Sequence, residues 1–229
     1  MKTPLKMSIT KHIPNFITTL NLFSGSVAVY FAFNGNFTVA FYAILLAALF
    51  DFMDGFAARL LKAYSPMGKE LDSLADVISF GLAPGAIAFS LLNQSDLPEW
   101  VQYVGFIIPV FSALRLAKFN IDERQSESFI GMPTPANAIF WTGISFSFSA
   151  FLISNPWITI VAISILSLLL VSELPMLALK FKGTGWKKNN NRYLFLAGCL
   201  LLLVAFQLDA FWIIILWYIL ASLVFRGKL

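Results

Sequence analysis

The sequence predicts an all-α, polytopic membrane bundle of about eight transmembrane helices, with both termini in the cytoplasm. Three observations carry that expectation. Mean hydropathy is +0.78, and 59% of the 229 residues are apolar against 12% charged, a balance far from that of soluble domains. Several apolar runs reach the ~20 residues a helix needs to cross the hydrocarbon core. The apolar residues also come in blocks, not in the alternating segments of about ten residues that build a β-barrel.

In chain order the runs fall at about 15–33, 37–61, 70–92, 99–119, 134–153, 157–179, 193–208 and 210–226. Pro14 and Asn15 read as a helix start ahead of the first run, which is a span and not a cleaved leader. NGN, NQSDLPEW, SNP and QLD are the loops on one side. QLD is so short that the last two runs form either a hairpin or one broken segment. Pro84 and Pro109 predict kinks in the third and fourth runs. Ser145, Ser147 and Ser149 are expected to bond to nearby helix carbonyls. Glu173 caps the sixth run or pairs with Lys180, and GTGWKKNNN is a polar connector. The layout makes 1–229 one membrane-embedded domain, with a catalytic core at about 11–180 and extra C-terminal helices at about 193–226.

Charge orients the bundle. With eight spans, all 16 basic residues fall on one side, that of the termini. The opposite loops hold Asp96, Glu99 and Asp209 and no base. Positive loops stay cytoplasmic, so topology accounts for the net charge of +4 and nucleic acid is not needed as a partner. A basic cytoplasmic face also suits anionic lipid headgroups. Cys199 and His12 are each the sole residue of their type. That excludes a disulfide framework, a His-based metal site and Ser–His or Cys–His nucleophiles.

Chemistry concentrates in DFMDGFAARLLKAYSPMGKELDSLAD, residues 51–76. At roughly 100° per residue, Asp54, Gly55, Ala58 and Arg59 fall at about −60°, +40°, −20° and +80° from Asp51. On the next helix, Gly68, Asp76, Ser79 and Ala83 fall at about −40°, +40°, −20° and +20° from Asp72. Two faces, each with two carboxylates among small residues, can thus share one pocket. Four like charges at a membrane border need neutralising. Hard divalent cations with oxygen ligands, Mg²⁺ or Mn²⁺, do so. Two ions ~3.5–4 Å apart would clamp a transferring phosphoryl group. Gly55 and Ala58 admit a nucleotide or pyrophosphate close to the backbone, and Arg59 can fork a phosphate oxygen. A cation transporter is the competing class. It needs a polar route to both sides, whereas the outer halves of these runs are almost wholly apolar.

The pattern Asp51-x2-Asp54-Gly55-x2-Ala58-Arg59-x8-Gly68-x3-Asp72-x3-Asp76 resembles the full signature of the CDP-alcohol phosphatidyltransferase family. The resemblance implies a dinuclear site at the cytoplasmic surface of the cell (inner) membrane, where a CDP-linked lipid is joined to an alcohol and CMP is released. It implies that Asp51, Asp54, Asp72 and Asp76 hold the metals, that Gly55, Ala58, Arg59 and Gly68 contact the CDP part, and that Asp76 is also the base. KHIPNFITTLNLFSGS, SLADVISFGLAPG, ALRLAKFNID and GMPTPANA are similar to the phosphatidylserine synthase branch. That branch implies CDP-diacylglycerol and L-serine as substrates, membrane lipids as surroundings and a homodimer as the assembly. Glycerol 3-phosphate or an inositol compound is the alternative acceptor. Serine carries a carboxylate, for which Arg115 is the candidate partner, with Lys118 a turn further. Asn21, Thr18 and Asn15 at the start of the first span, and Asn120, Thr134 and Asn137, are further candidates for the acceptor site.

Overall fold

The computed structural model describes residues 12–122, 124, 129–178 and 185–225. The basic residues Lys2, Lys6, Lys11, Lys180, Lys182, Arg226 and Lys228 lie outside them. The order is α1 (Ile13–Phe33), α2 (Phe37–Leu60), α3 (Pro66–Asn93), α4 (Glu99–Ile121), β1 (Phe129–Ile130), α5 (Thr134–Ser154), α6 (Pro156–Val171), β2 (Pro175–Met176), α7 (Trp186–Phe206) and α8 (Ala210–Val224).

Six stretches among the described residues are helical, long and apolar enough to cross a membrane: α1 to α5 and Asn189–Val224. The count is lower than the number of apolar runs for two reasons. The α6 helix stops at Val171, after 16 residues, because Ser172 turns extended (ψ 157°) and the chain leaves to form β2. The last stretch is counted as one although it breaks at Gln207–Asp209, where Gln207, with a φ of 50°, ends α7 and leads into α8.

Local chemistry sets the helix starts. Asn36 caps α2 by accepting from the Val39 N–H at 3.1 Å. Ser65 caps α3 by accepting from the Gly68 N–H at 3.0 Å, with Pro66 in the first helical position. That pair begins α3 four residues before the start of its apolar run. The proposed connector GTGWKKNNN is mostly helix too, since α7 begins at Trp186. Pro84 and Pro109 lie inside α3 and α4, in the first turns of the α-helical segments Ala83–Asn93 and Ile107–Ile121. The departures from α geometry precede them: a π-helical turn at Val77–Leu82 and a 3₁₀ stretch at Glu99–Phe106. The non-helical residue inside α5 is Phe148.

The centre of the bundle is α3, 72% of whose apolar window is buried, against 28–44% for the other four of α1 to α5 and 11% for the α7–α8 stretch. The most extensive helix pair is α1 with α2. Ala28, Ala32, Ala40, Ala43 and Ala47 line it and join Phe80, Ala83 and Ile87 of α3 in one buried cluster. Small residues bring helix backbones close, which is how association is won where lipid is as apolar as leucine. A second cluster gathers Ile108, Trp141, Ile163, Leu170 and Tyr218 from α4, α5, α6 and α8.

A strap closes the end of the bundle at which α4 finishes. β1 pairs antiparallel with β2, Phe129 opposite Met176. Lys118 and Arg124 both pair with Glu173, and Arg124 also pairs with Asp122. The hydrogen bond and charge of Lys118 hold the Glu173 carboxyl below its ordinary pKa. Glu173 thus pairs with Lys118 and Arg124, while Lys180, its expected partner, lies outside the described residues.

Candidate active site

The chain brings the four aspartates to one end of the bundle, on the last turns of α2 and the first turns of α3. Among the described residues, Asp51, Asp72 and Asp76 each offer a carboxylate oxygen within 4.8 Å of the others. Asp54 stands beside them, 6% exposed. The Thr18 hydroxyl of α1 donates to Asp54 Oδ2 at 2.6 Å and lies 3.0 Å from the Pro14 carbonyl oxygen. Asn21, one turn on, donates from Nδ2 to Asp76 Oδ1 at 3.4 Å. Ser79 then donates to the Asn21 carbonyl oxygen at 3.1 Å. Thus α1 holds a carboxylate of α2 through Thr18 and one of α3 through Asn21.

A cavity of about 310 Å³ opens beside this cluster. Asp51, Asp54 and Asp72 line it, with Gly55, Ala58, Gly68 and Thr18. Asp76 lies inward of the lining residues, 8% exposed, as the last α-helical residue before the π turn. A side chain at Gly55 would meet nothing within 4 Å, so the backbone there faces open space. Gly68 is different: a Cβ would come 2.9 Å from Asn15 Oδ1, so this glycine lets α3 approach the start of α1. Arg59 is exposed and is not among the lining residues. Tyr64, Ser65 and Lys69 are lining residues that the sequence reading passed over. Lys69 is one of the 16 basic residues whose distribution orients the bundle. It sits between Gly68 and Asp72 in the motif and bonds through Nζ to the Asn120 carbonyl oxygen at 3.1 Å.

The donor set fits hard divalent cations. Three carboxylates converge from two helices, and no ion pair among the described residues involves any of the four aspartates. Oxygen-only ligands of this kind select Mg²⁺ or Mn²⁺ over softer metals. Arg115, 6% exposed in α4, has Asp76 and Tyr218 as its electrostatic neighbours and lies with its guanidinium carbon 4.8 Å from the centre of the Phe119 ring.

Fold and site together define a multi-pass helical membrane protein with an acidic cavity at one end of its bundle. The CDP-alcohol phosphatidyltransferase family model matches residues 11–225. The chain is 34% identical over 174 residues to the CDP-diacylglycerol–serine O-phosphatidyltransferase of Mycobacterium leprae (strain TN), covering 72% of this chain and 57% of that protein. It is 36% identical over 163 residues to the enzyme of the same name from Bacillus subtilis (strain 168), covering 71% and 88%. It is 36% identical over 151 residues to that from Saccharomyces cerevisiae (strain ATCC 204508 / S288c), covering 59% and 54%. The chain thus spans little more than half the length of some relatives and most of the length of another. It belongs to the CDP-alcohol phosphatidyltransferase family.

Proposed function

We propose that this protein transfers the phosphatidyl group of CDP-diacylglycerol to L-serine, giving phosphatidylserine and CMP. The carrying observation is the convergence of Asp51, Asp72 and Asp76 within 4.8 Å of one another beside an open cavity, in a chain whose relatives carry that activity in their names. Asp51, Asp54, Asp72 and Asp76 are the residues to hold one or two Mg²⁺ or Mn²⁺ ions. Bound there, the ions supply charge neutralisation for a diphosphate and for the departing CMP.

The remaining work falls to the chain. Gly55, Ala58 and Gly68 leave room for the CDP moiety along α2 and α3, with Arg59 at the rim for a phosphate oxygen. Asp76 takes the proton of the serine hydroxyl as its oxygen attacks the phosphorus bearing the diacylglycerol. The bond from that phosphorus to the CMP oxygen breaks, and CMP leaves with the electron pair. Asn21 orients Asp76, and Thr18 orients Asp54. Arg115 binds the serine carboxylate, with Asn21 and Thr18 near the acceptor. Purified protein should release CMP only when divalent metal, CDP-diacylglycerol and L-serine are all present, and EDTA should stop it. Release with glycerol 3-phosphate or myo-inositol and not serine would overturn the acceptor. No release with any acceptor from folded protein would favour cation transport instead.

The same reading places eight helices across the inner membrane of the cell, with the termini and the acidic cavity cytoplasmic, in one domain with α7 and α8 added to a catalytic core. It is supported by Arg59, Lys62 and Lys69 at the cavity end and by Asp96, Glu99 and Asp209 in the opposite loops. A homodimer belongs to this reading through the family resemblance. In a Cys199→Ala background, Lys62→Cys should react with an impermeant maleimide only in inside-out vesicles, and Asp96→Cys only in right-side-out cells. The reverse pattern would invert the topology.

A further inference from the structure

Five buried residues on three helices carry polar atoms that lack hydrogen-bond partners, and two of them, Asn21 and Arg115, neighbour Asp76. On α4, Ser112 and Arg115 are three residues apart and share a helix face. Ser112 is fully buried, and Arg115 is the one buried cation among the described residues. Ser112 Oγ and Arg115 Nε have no partner. On α5, Thr134 and Asn137 repeat the spacing, 0% and 1% exposed. Thr134 Oγ1 and both amide atoms of Asn137 are unpartnered. On α1, Asn21 Oδ1 is unpartnered, although its Nδ2 reaches Asp76. All three helices pack on the π turn that follows Asp76. Ser112 touches it at Gly81, where an added Cβ would stand 3.1 Å from Ser112 Cβ.

Buried polar groups in native proteins are almost always satisfied, so this set calls for a polar ligand. Its unused atoms are donors at Arg115, Ser112 and Asn137 Nδ2, and acceptors at Asn137 Oδ1 and Asn21 Oδ1, with Thr134 able to do either. An amino-acid zwitterion offers the complement: a carboxylate to accept and an ammonium to donate.

We propose that Asn137, with Ser112 and Thr134, forms with Arg115 the pocket that reads the zwitterion of an amino-acid acceptor, and that Asn137 sets the preference for an amino acid over a polyol or a phosphorylated alcohol. This deepens, and rests on, the transferase reading. The carboxylate lies on Arg115 and Ser112, and the ammonium donates to Asn137 Oδ1 and Thr134. The acceptor hydroxyl is left to face Asp76. A polyol leaves Arg115 without an anion. A phosphate dianion brings two charges to a single arginine beside four aspartates.

The test is Asn137→Ala and the isosteric Asn137→Asp, assayed for CMP release with KM and kcat taken separately for L-serine and CDP-diacylglycerol. L-serine binding is measured in parallel by tryptophan fluorescence, because Trp141 lies one turn from Asn137 on the same helix. Glycerate, which lacks the ammonium, is the competing acceptor. For Asn137→Ala the serine KM and dissociation constant should rise about tenfold to a hundredfold. The KM for CDP-diacylglycerol should hold, and discrimination against glycerate should fall. Asn137→Asp should keep the ammonium contact and that discrimination. The proposal is overturned if folded Asn137→Ala binds serine as the wild type does, or if both substrates' KM values rise together. If Asn137→Ala does not fold, loss of glycerate discrimination in Asn137→Asp overturns it. Wild-type protein that uses glycerol 3-phosphate and does not bind serine overturns the serine acceptor on which the proposal rests, before any variant is made.

Discussion

Asp76→Asn should lower CMP release by about 10³-fold or more, the range lost when a positioned acid–base group is removed, while the protein still inserts and melts at or above the wild-type temperature. The amide is isosteric, so packing around α3 persists. Its oxygen can still accept from Asn21 Nδ2, now at 3.4 Å from Asp76 Oδ1. What disappears is a charge and a proton acceptor. Removing one of several like charges from a buried cluster relieves repulsion, so stability should not fall. Carboxylates 51, 54 and 72 remain beside the cavity, so CDP-diacylglycerol should still bind. The measurements are CMP release under saturating substrates and thermal unfolding in detergent. Wild-type turnover in the variant would remove Asp76 from the chemistry.

Gly25→Ala should also be damaging, for a mechanical reason. A Cβ on Gly25 would stand 2.1 Å from Ser79 Oγ and 2.6 Å from Ser79 Cα. The second contact is backbone and cannot be relieved by a rotamer change, so α1 and α3 must separate. Overpacking of this kind costs about 1–3 kcal/mol, or a melting shift of roughly 2–4 °C per kcal/mol in a chain of this size. Catalysis should suffer more. Asn21 and Thr18 ride on α1 one and two turns before Gly25, and they hold Asp76 and Asp54. A displacement of about 1 Å at such a site costs about 10²-fold in rate. Gly55→Ala is the stability control, because nothing lies within 4 Å of its Cβ position. If Gly25→Ala melts and turns over like the wild type, α1 is not the brace described here.

The site was legible in the sequence because it is built by counting. Asp51 and Asp54, and Asp72 and Asp76, stand at spacings that any α-helix folds onto one face, and composition alone put those helices in a membrane. The parts that stayed hidden depend on packing between distant helices. Nothing near Thr18 in sequence says that its hydroxyl meets Asp54, 36 residues away. Lys69 carried the same charge as its topological neighbours, and only the fold sets it in the cavity wall. The early end of α6 was masked because the run after Val171 stays fairly apolar while Pro175 and Met176 pair with β1. Pro84 and Pro109 mark the two helices that depart from α geometry, but only the fold shows that the departures fall in the turns before them.

The π turn at Val77–Leu82 bears on which genetic changes this protein can accept. A π turn is an α turn with a residue inserted, so α3 carries two phases: one sets Asp72 and Asp76 toward α2, the other sets Ser79 and Gly81 against α1 and α4. Substitutions among Leu, Ile, Val and Phe on the lipid side leave both phases alone, and the sequence can drift there. Insertions or deletions between Asp72 and Gly81 cannot be absorbed in the same way, because each one rotates one half of the helix by about 100° against the other. Chain length between these positions is therefore the heritable quantity under the tightest constraint, more so than the identity of the apolar residues that fill it.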